Sequence, residues 1–88
     1  MYAKKVDRNQ KEIVAAIRAL GLTVVLLHAV GRGFPDLLVS SATTIWLVEV
    51  KAKKGTYTEA QEEFYSKWKG KPILTIRDVK EVSHTLFS

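Results

Sequence analysis

Residues 33–51 read Gly-Phe-Pro-Asp-Leu-Leu-Val-Ser-Ser-Ala-Thr-Thr-Ile-Trp-Leu-Val-Glu-Val-Lys. Two apolar runs, Asp36 to Val39 and Thr44 to Val50, flank the polar stretch Ser40-Ser41-Ala42-Thr43, a pattern that predicts two strands joined by a short turn. With Ser41 and Ala42 as the turn, Ser40 faces Thr43 and Asp36 falls opposite Leu47. Side chains alternate between faces with period two, so Asp36 then shares a face with Leu47, Glu49 and Lys51. A register change of one residue would undo that arrangement.

Before the hairpin, Gly31-Arg32-Gly33 breaks the chain, and the run Leu22 to Leu27 predicts a buried strand. Ile13, Ala16, Ile17 and Leu20 recur at helical spacing, giving a helix over Asn9 to Leu20 with Asn9 as N-cap and Gly21 as the stop. After the hairpin, Lys54-Gly55-Thr56 is a turn. Thr58-Glu59-Ala60-Gln61 then opens a second helix, to Trp68, with a capping-box pattern and an apolar face of Phe64, Tyr65 and Trp68. Gly70 ends it, Pro72 to Ile76 is a fourth strand, and a short helix follows from Asp78. The order αβββαβα predicts an α/β fold, a small mixed sheet flanked by helices.

The 88 residues are 47% apolar and 26% charged, the balance of one globular domain spanning 1–88. A core of that size is modest, and dimerisation would bury more apolar surface. The absence of cysteine excludes disulfides, thiolate zinc sites and thiol catalysis. No apolar run is long enough for a signal peptide or a membrane span, and the expected location is cytoplasmic. The formal charge is +5, with Lys4, Lys5, Arg8 and Lys11 near the start and Lys51, Lys53 and Lys54 in mid-chain. Such clusters favour polyanionic partners, nucleic acid among them.

Two carboxylates and an ammonium at one end of a hairpin define a chemistry. Asp36 and Glu49 offer the oxygen ligands that a hard cation such as magnesium prefers, and the Val50 carbonyl could add another. Lys51 is placed to orient or deprotonate an attacking water, or to offset charge building on a phosphorane. Phosphodiester hydrolysis suits this set.

Asp36 followed by Glu49-Val50-Lys51 resembles the signature of the PD-(D/E)XK nuclease superfamily. Gly33-Phe34-Pro35-Asp36-Leu37, the Glu-Val-Lys tripeptide and Gln61 leading the next helix are similar to the VRR-NUC family in particular, over roughly residues 7 to 76. The resemblance implies a restriction-endonuclease-like αβββαβ core and a metal-dependent DNA endonuclease using magnesium or manganese (Mg2+ or Mn2+). Family members resemble Holliday-junction resolvases, and stand-alone versions occur in phages. Branched DNA as substrate and a homodimer follow as expectations. By resemblance Asp36 and Glu49 are metal ligands, Lys51 the catalytic lysine and Gln61 a motif residue beside the site. The family also places an acidic residue in the first helix. Glu12 is the first choice here, with Asp7 and Gln10 as alternatives.

Structural explanations compete with these roles. Glu49 and Lys51 could be an ordinary exposed ion pair. Asn9-x-x-Glu12 is also a capping-box arrangement, and Gln61 could serve mainly to cap behind Thr58. His28 could touch phosphate or protonate a leaving group, or be structural. Trp46 and Trp68 read as core or interface, and with Leu86-Phe87 they offer apolar surface for a dimer. Arg32, Lys53 and Lys54 flank the motif and read as DNA-backbone contacts, extended by Lys4, Lys5, Arg8 and Lys11. Besides a nuclease, the chain could be a non-catalytic DNA-binding module or a protein-interaction domain.

Overall fold

A computed structural model describes residues 9–87. Lys4, Lys5, Asp7 and Arg8 lie outside the described residues. The elements are α1 (Gln10–Ala19), β1 (Thr23–Leu26), β2 (Leu37–Ser40), β3 (Ile45–Val50), α2 (Glu59–Lys67), β4 (Leu74–Ile76), a 3-10 turn (Val79–Glu81) and α3 (Val82–Phe87). The sheet runs β1-β2-β3-β4, with β1, β2 and β3 antiparallel and β4 parallel to β3. This is a mixed α/β fold with a four-stranded mixed sheet between helices, compatible with a restriction-endonuclease-like core.

Alternation along the strands gives the sheet two unlike faces. Val24, Leu37, Val39, Val48, Val50 and Ile76 point to one of them and are buried against Ile13, Val14 and Ile17 of α1 and Val82 and Leu86 of α3. The other face carries Asp36, Glu49 and Lys51, all buried, beneath α2. Helix α2 buries no apolar residue fully; its buried side chain is Gln61.

Several elements depart from the sequence reading for definable reasons. Ser40 pairs with Ile45 rather than Thr43. The connection is a four-residue loop, closed by the Ser41 N–H to the Thr44 carbonyl (2.9 Å) and by the Ser41 Oγ, which accepts from the Thr43 and Thr44 N–H groups. That local serine bonding competes successfully with a tight two-residue turn. The register moves by two, an even number, so the face assignment survives. Strand β1 is an edge rather than a buried strand, leaving Val25 and Leu26 each 46% exposed. Leu86 is core, and Trp46 is partly buried against it, so neither is spare surface. Trp68 and Phe87 are exposed. No helix among the described residues is long and apolar enough to cross a membrane.

Candidate active site

The site forms where the β2–β3 ladder runs out. Leu37 pairs with Val48, so continuing the register sets Asp36 opposite Glu49 and Pro35 opposite Val50. Proline has no N–H, and the ladder cannot continue through it. The Asp36 side chain takes over: its Oδ2 accepts the Val50 N–H at 2.8 Å. An extended residue aims its N–H and C=O to the same side, so the Val50 carbonyl also points toward Asp36. Pro35 cannot donate to it. Two carboxylates and a backbone carbonyl thereby converge at one strand end.

Glu49 is held from above. The Gln61 Nε2 donates to Glu49 Oε2 at 2.8 Å, while the Gln61 Oε1 accepts the Thr58 N–H at 2.8 Å. The Thr58 Oγ1 in turn accepts the Gln61 N–H at 3.1 Å, completing the capping box. One amide therefore does both jobs that the sequence set against each other. Lys51 Nζ sits 3.8 Å from Glu49 Oε2 and 5.6 Å from the centre of the Tyr57 ring. Glu49 is 1% exposed and Lys51 9%, which rules out an ordinary surface ion pair.

Gly33 explains how α2 comes so close. Gly31, Arg32 and Gly33 all have positive φ, of 70°, 55° and 82°. At Gly33 a Cβ would overlap the Ala60 carbonyl and lie 2.9 Å from the Gln61 N. Glycine is needed twice there, for its backbone angle and for contact with the first turn of α2. Phe34 packs on Phe64, ring centres 5.1 Å apart, and fixes the same contact further along the helix.

Four contributors were not legible as site residues. Tyr65, one helical turn after Gln61, buries its hydroxyl without an ideal hydrogen bond but close to Glu49. Burial first, then the charge of Glu49, and then Tyr57 and Asp36, hold that hydroxyl well above the ordinary tyrosine range. Thr75 pairs with Glu49 across the parallel ladder and bonds the Tyr57 hydroxyl. Asn9 does not cap α1. Its Nδ2 donates to the Lys51 carbonyl (3.2 Å) and the Arg77 carbonyl (3.0 Å), pinning the helix to the ends of β3 and β4. Arg77 Nη1 donates to the Ala52 and Gly55 carbonyls at 2.9 and 2.6 Å and shapes the loop that carries Lys53 and Lys54. Asn9 and Arg77 act through backbone, which sequence pattern does not reveal. Tyr65 had one signal, its spacing of four from Gln61.

The first-helix candidates separate. Glu12 is exposed, whereas Gln10 is 4% exposed with its Oε1 buried and unpartnered. Among the described residues no three acidic, histidine or cysteine side chains cluster as metal ligands. Arg32, Lys53, Lys54 and Lys11 are exposed.

No curated protein and no solved structure gives a significant match to this chain. The family model of the VRR-NUC domain matches residues 2–76, from ahead of α1 to the end of β4, and so takes in Asp36, Glu49, Lys51 and Gln61. The chain belongs to the VRR-NUC family and is a nuclease-type domain that acts on DNA.

Proposed function

We propose that this chain is a divalent-metal-dependent endonuclease that hydrolyses phosphodiester bonds in branched DNA. The observation that carries the reading is the buried convergence of Asp36, Glu49 and Lys51 under Gln61. Burying such a set costs stability, because desolvation of charges outweighs much of their attraction. A DNA-binding module would gain nothing from it, since its cations need to be exposed to phosphate.

The donor set fits a hard cation. Asp36, Glu49 and the Val50 carbonyl are all oxygen ligands, and with only two carboxylates a magnesium or manganese ion would keep several waters. When bound, the ion supplies Lewis-acid polarisation of the phosphodiester and a more acidic water. Asp36 and Glu49 would hold it, with Gln61 fixing the carboxylate of Glu49 from the opposite side. Lys51, kept near Glu49 and the Tyr57 ring, orients the attacking water and offsets charge developing on the phosphorane. Tyr65 stays protonated, a neutral hydroxyl close to Glu49.

Selectivity follows from what surrounds the site. Arg32, Lys53 and Lys54 flank it with exposed cations and Lys11 extends them, with Lys4, Lys5 and Arg8 as further candidates; such contacts fix position without reading bases. We also infer a homodimer. The sheet face beyond α2 leaves Val25 and Ile45 (61% exposed) uncovered, and resolving a junction takes two coordinated cuts, which a two-fold dimer supplies. The test is cleavage of four-way junctions, flaps and linear duplexes with magnesium, with manganese and with chelator, beside sedimentation at micromolar concentration. Metal-restored cutting of branched DNA by a dimer is expected. Binding without cutting would reduce the chain to a DNA-binding module, and neither would point to a protein-interaction domain.

A further inference from the structure

Lys51 needs a hold that its carboxylate neighbour does not fully supply. Its Nζ lies 3.8 Å from Glu49 Oε2, well beyond the about 2.7–2.9 Å of a charge-assisted hydrogen bond. That same oxygen already accepts the Gln61 amide at 2.8 Å. A cation bound by Asp36 and Glu49 would also draw the charge of Glu49 away from the ammonium. Lysine carries its charge on a flexible stem, so a weak tether leaves the head free to swing. Lys51 is only 9% exposed, which gives water little access to it.

An aromatic ring is near enough to supply the hold. The Tyr57 ring centre is 5.6 Å from Lys51 Nζ, within the roughly 6 Å at which a ring quadrupole attracts a cation, and the attraction grows as the cation is desolvated. The chain doubles back to bring the two together. The Gly55 N–H donates to the Ala52 carbonyl at 3.0 Å, and Arg77 bonds both the Ala52 and Gly55 carbonyls. The ring is itself fixed twice: its hydroxyl is hydrogen-bonded to the Thr75 hydroxyl, and it packs at 59° to the Tyr65 ring, centres 5.3 Å apart. Thr75 is the residue of β4 that pairs with Glu49. One rung of the sheet therefore sets the anchor of the ring against the carboxylate.

We propose that Tyr57 is a positioning residue for Lys51, its ring holding the ammonium beside the reacting phosphate and its hydroxyl, through Thr75, holding the ring. This deepens, and rests on, the reading of the site as a nuclease. An aromatic face suits the task because it attracts a cation without being a ligand for a hard metal ion. A third carboxylate in its place would hold the lysine and compete for the metal. The ring also offers no lone pair, which leaves the N–H donors of Lys51 to the attacking water and the phosphorane oxygens.

The test follows the full chain by two independent readouts. In NMR spectra, ring current should place the Lys51 Hε protons upfield of those of the exposed Lys53 and Lys54, and Tyr57→Leu should remove that shift. In single-turnover cleavage of branched DNA with saturating magnesium, Tyr57→Leu should cut roughly ten- to thirtyfold more slowly, with DNA affinity kept within about twofold. Tyr57→Phe and Thr75→Val should each cost only about two- to fivefold, and the double variant no more than either, because both break one bond. Adding successive ring fluorines to the Tyr57→Phe chain keeps the shape while draining the ring of its attraction, so the rate should fall stepwise at a constant thermal midpoint. A ring that only packs would give a flat fluorine series. That result, or Lys51 protons unshifted in the wild type, would overturn the proposal. The two readings stay apart: cutting with a flat series removes the positioning role alone, whereas the upfield shift without any cutting removes the nuclease reading and keeps the hold on Lys51.

Discussion

The two faces of the sheet are built from neighbouring residues of the same strands and obey opposite rules. On the α1/α3 side, Leu37, Val39, Val48, Val50 and Ile76 are wholly buried and entirely apolar. On the α2 side, the residues between them, Asp36, Glu49 and Lys51, are nearly as buried and carry charge or its partners. Burial of apolar area stabilises at about 25 cal/mol per Å², whereas buried charge costs several kcal/mol per ion before pairing returns some of it. Stability therefore resides on one face and the proposed chemistry on the other, and β3 serves both. The comparison predicts that substitutions one residue apart in β3 have unrelated consequences.

The largest effect is expected on activity. Lys51→Ala should lower turnover by roughly a thousandfold or more, about 4 kcal/mol of transition-state stabilisation, while DNA binding changes little. Single-turnover cleavage beside a binding titration measures the split. Wild-type cutting by Lys51→Ala would place the chemistry elsewhere. On the opposite face, Ile17→Ala should cost about 2–5 kcal/mol of stability through the cavity it leaves, with the folded fraction keeping its cleavage rate. For a domain of this size that is a large share of the total. If Ile17→Ala left the thermal midpoint alone, the division of labour between the faces would fail.

Gly33→Ala tests how the two regions are joined. The added Cβ meets the Ala60 carbonyl at a residue with φ of 82°, so α2 must shift, and with it Gln61. We expect a loss of about 1–3 kcal/mol together with a drop in activity larger than the instability explains. Urea denaturation and metal-dependent cleavage on the same preparation separate the two. Equal activity per folded molecule would mean that Gln61 does not need its close seat over Glu49.

Asp36→Asn tests whether this carboxylate is a metal ligand. The amide oxygen can still accept the Val50 N–H, while the charge that a cation would need is lost. Activity should disappear, because a neutral amide is a poorer ligand for a hard cation than a carboxylate. Added magnesium should stabilise the wild type and not the variant. Equal stabilisation of both proteins by magnesium would show that this carboxylate does not hold the metal.

How far the sequence led depended on which interactions were local. The face shared by Asp36, Glu49 and Lys51 was legible because alternation tolerates an even register error, and the error was two. The capping box at Thr58 and Gln61 is a contact three residues apart and was legible for the same reason. Asn9 was read as a cap because local pattern is all that a sequence offers, whereas its amide spans to residues 51 and 77. The run Leu22 to Leu27 looked buried because apolar content cannot distinguish an edge strand from a central one. The nearness of Tyr65 to Glu49 depends on how closely Gly33 lets α2 descend, a tertiary distance that its spacing of four from Gln61 does not give.

That last residue yields the smallest effect and the sharpest probe of the polar face. The Tyr65 hydroxyl is held above its ordinary value of 10.0, chiefly by burial and next by the charge of Glu49. The folded state therefore retains this proton at pH values where the unfolded chain releases it. Stability from the neutral hydroxyl is fully present below about pH 10 and is lost as pH rises from there toward the folded value. Tyr65→Phe cannot titrate, so its stability should fall less steeply than that of the wild type from pH 10 upward, with near-identical slopes between pH 6 and 9. Denaturation midpoints across that range make the comparison, the variant cancelling the contribution of every other tyrosine and lysine. Parallel curves above pH 10 would mean that Tyr65 ionises as freely folded as unfolded, and the hydroxyl would then not be the buried neutral neighbour of Glu49. Substituting Glu49→Gln in the same series should bring the wild-type slope partway toward that of Tyr65→Phe, because the nearby charge is the second of the two main causes.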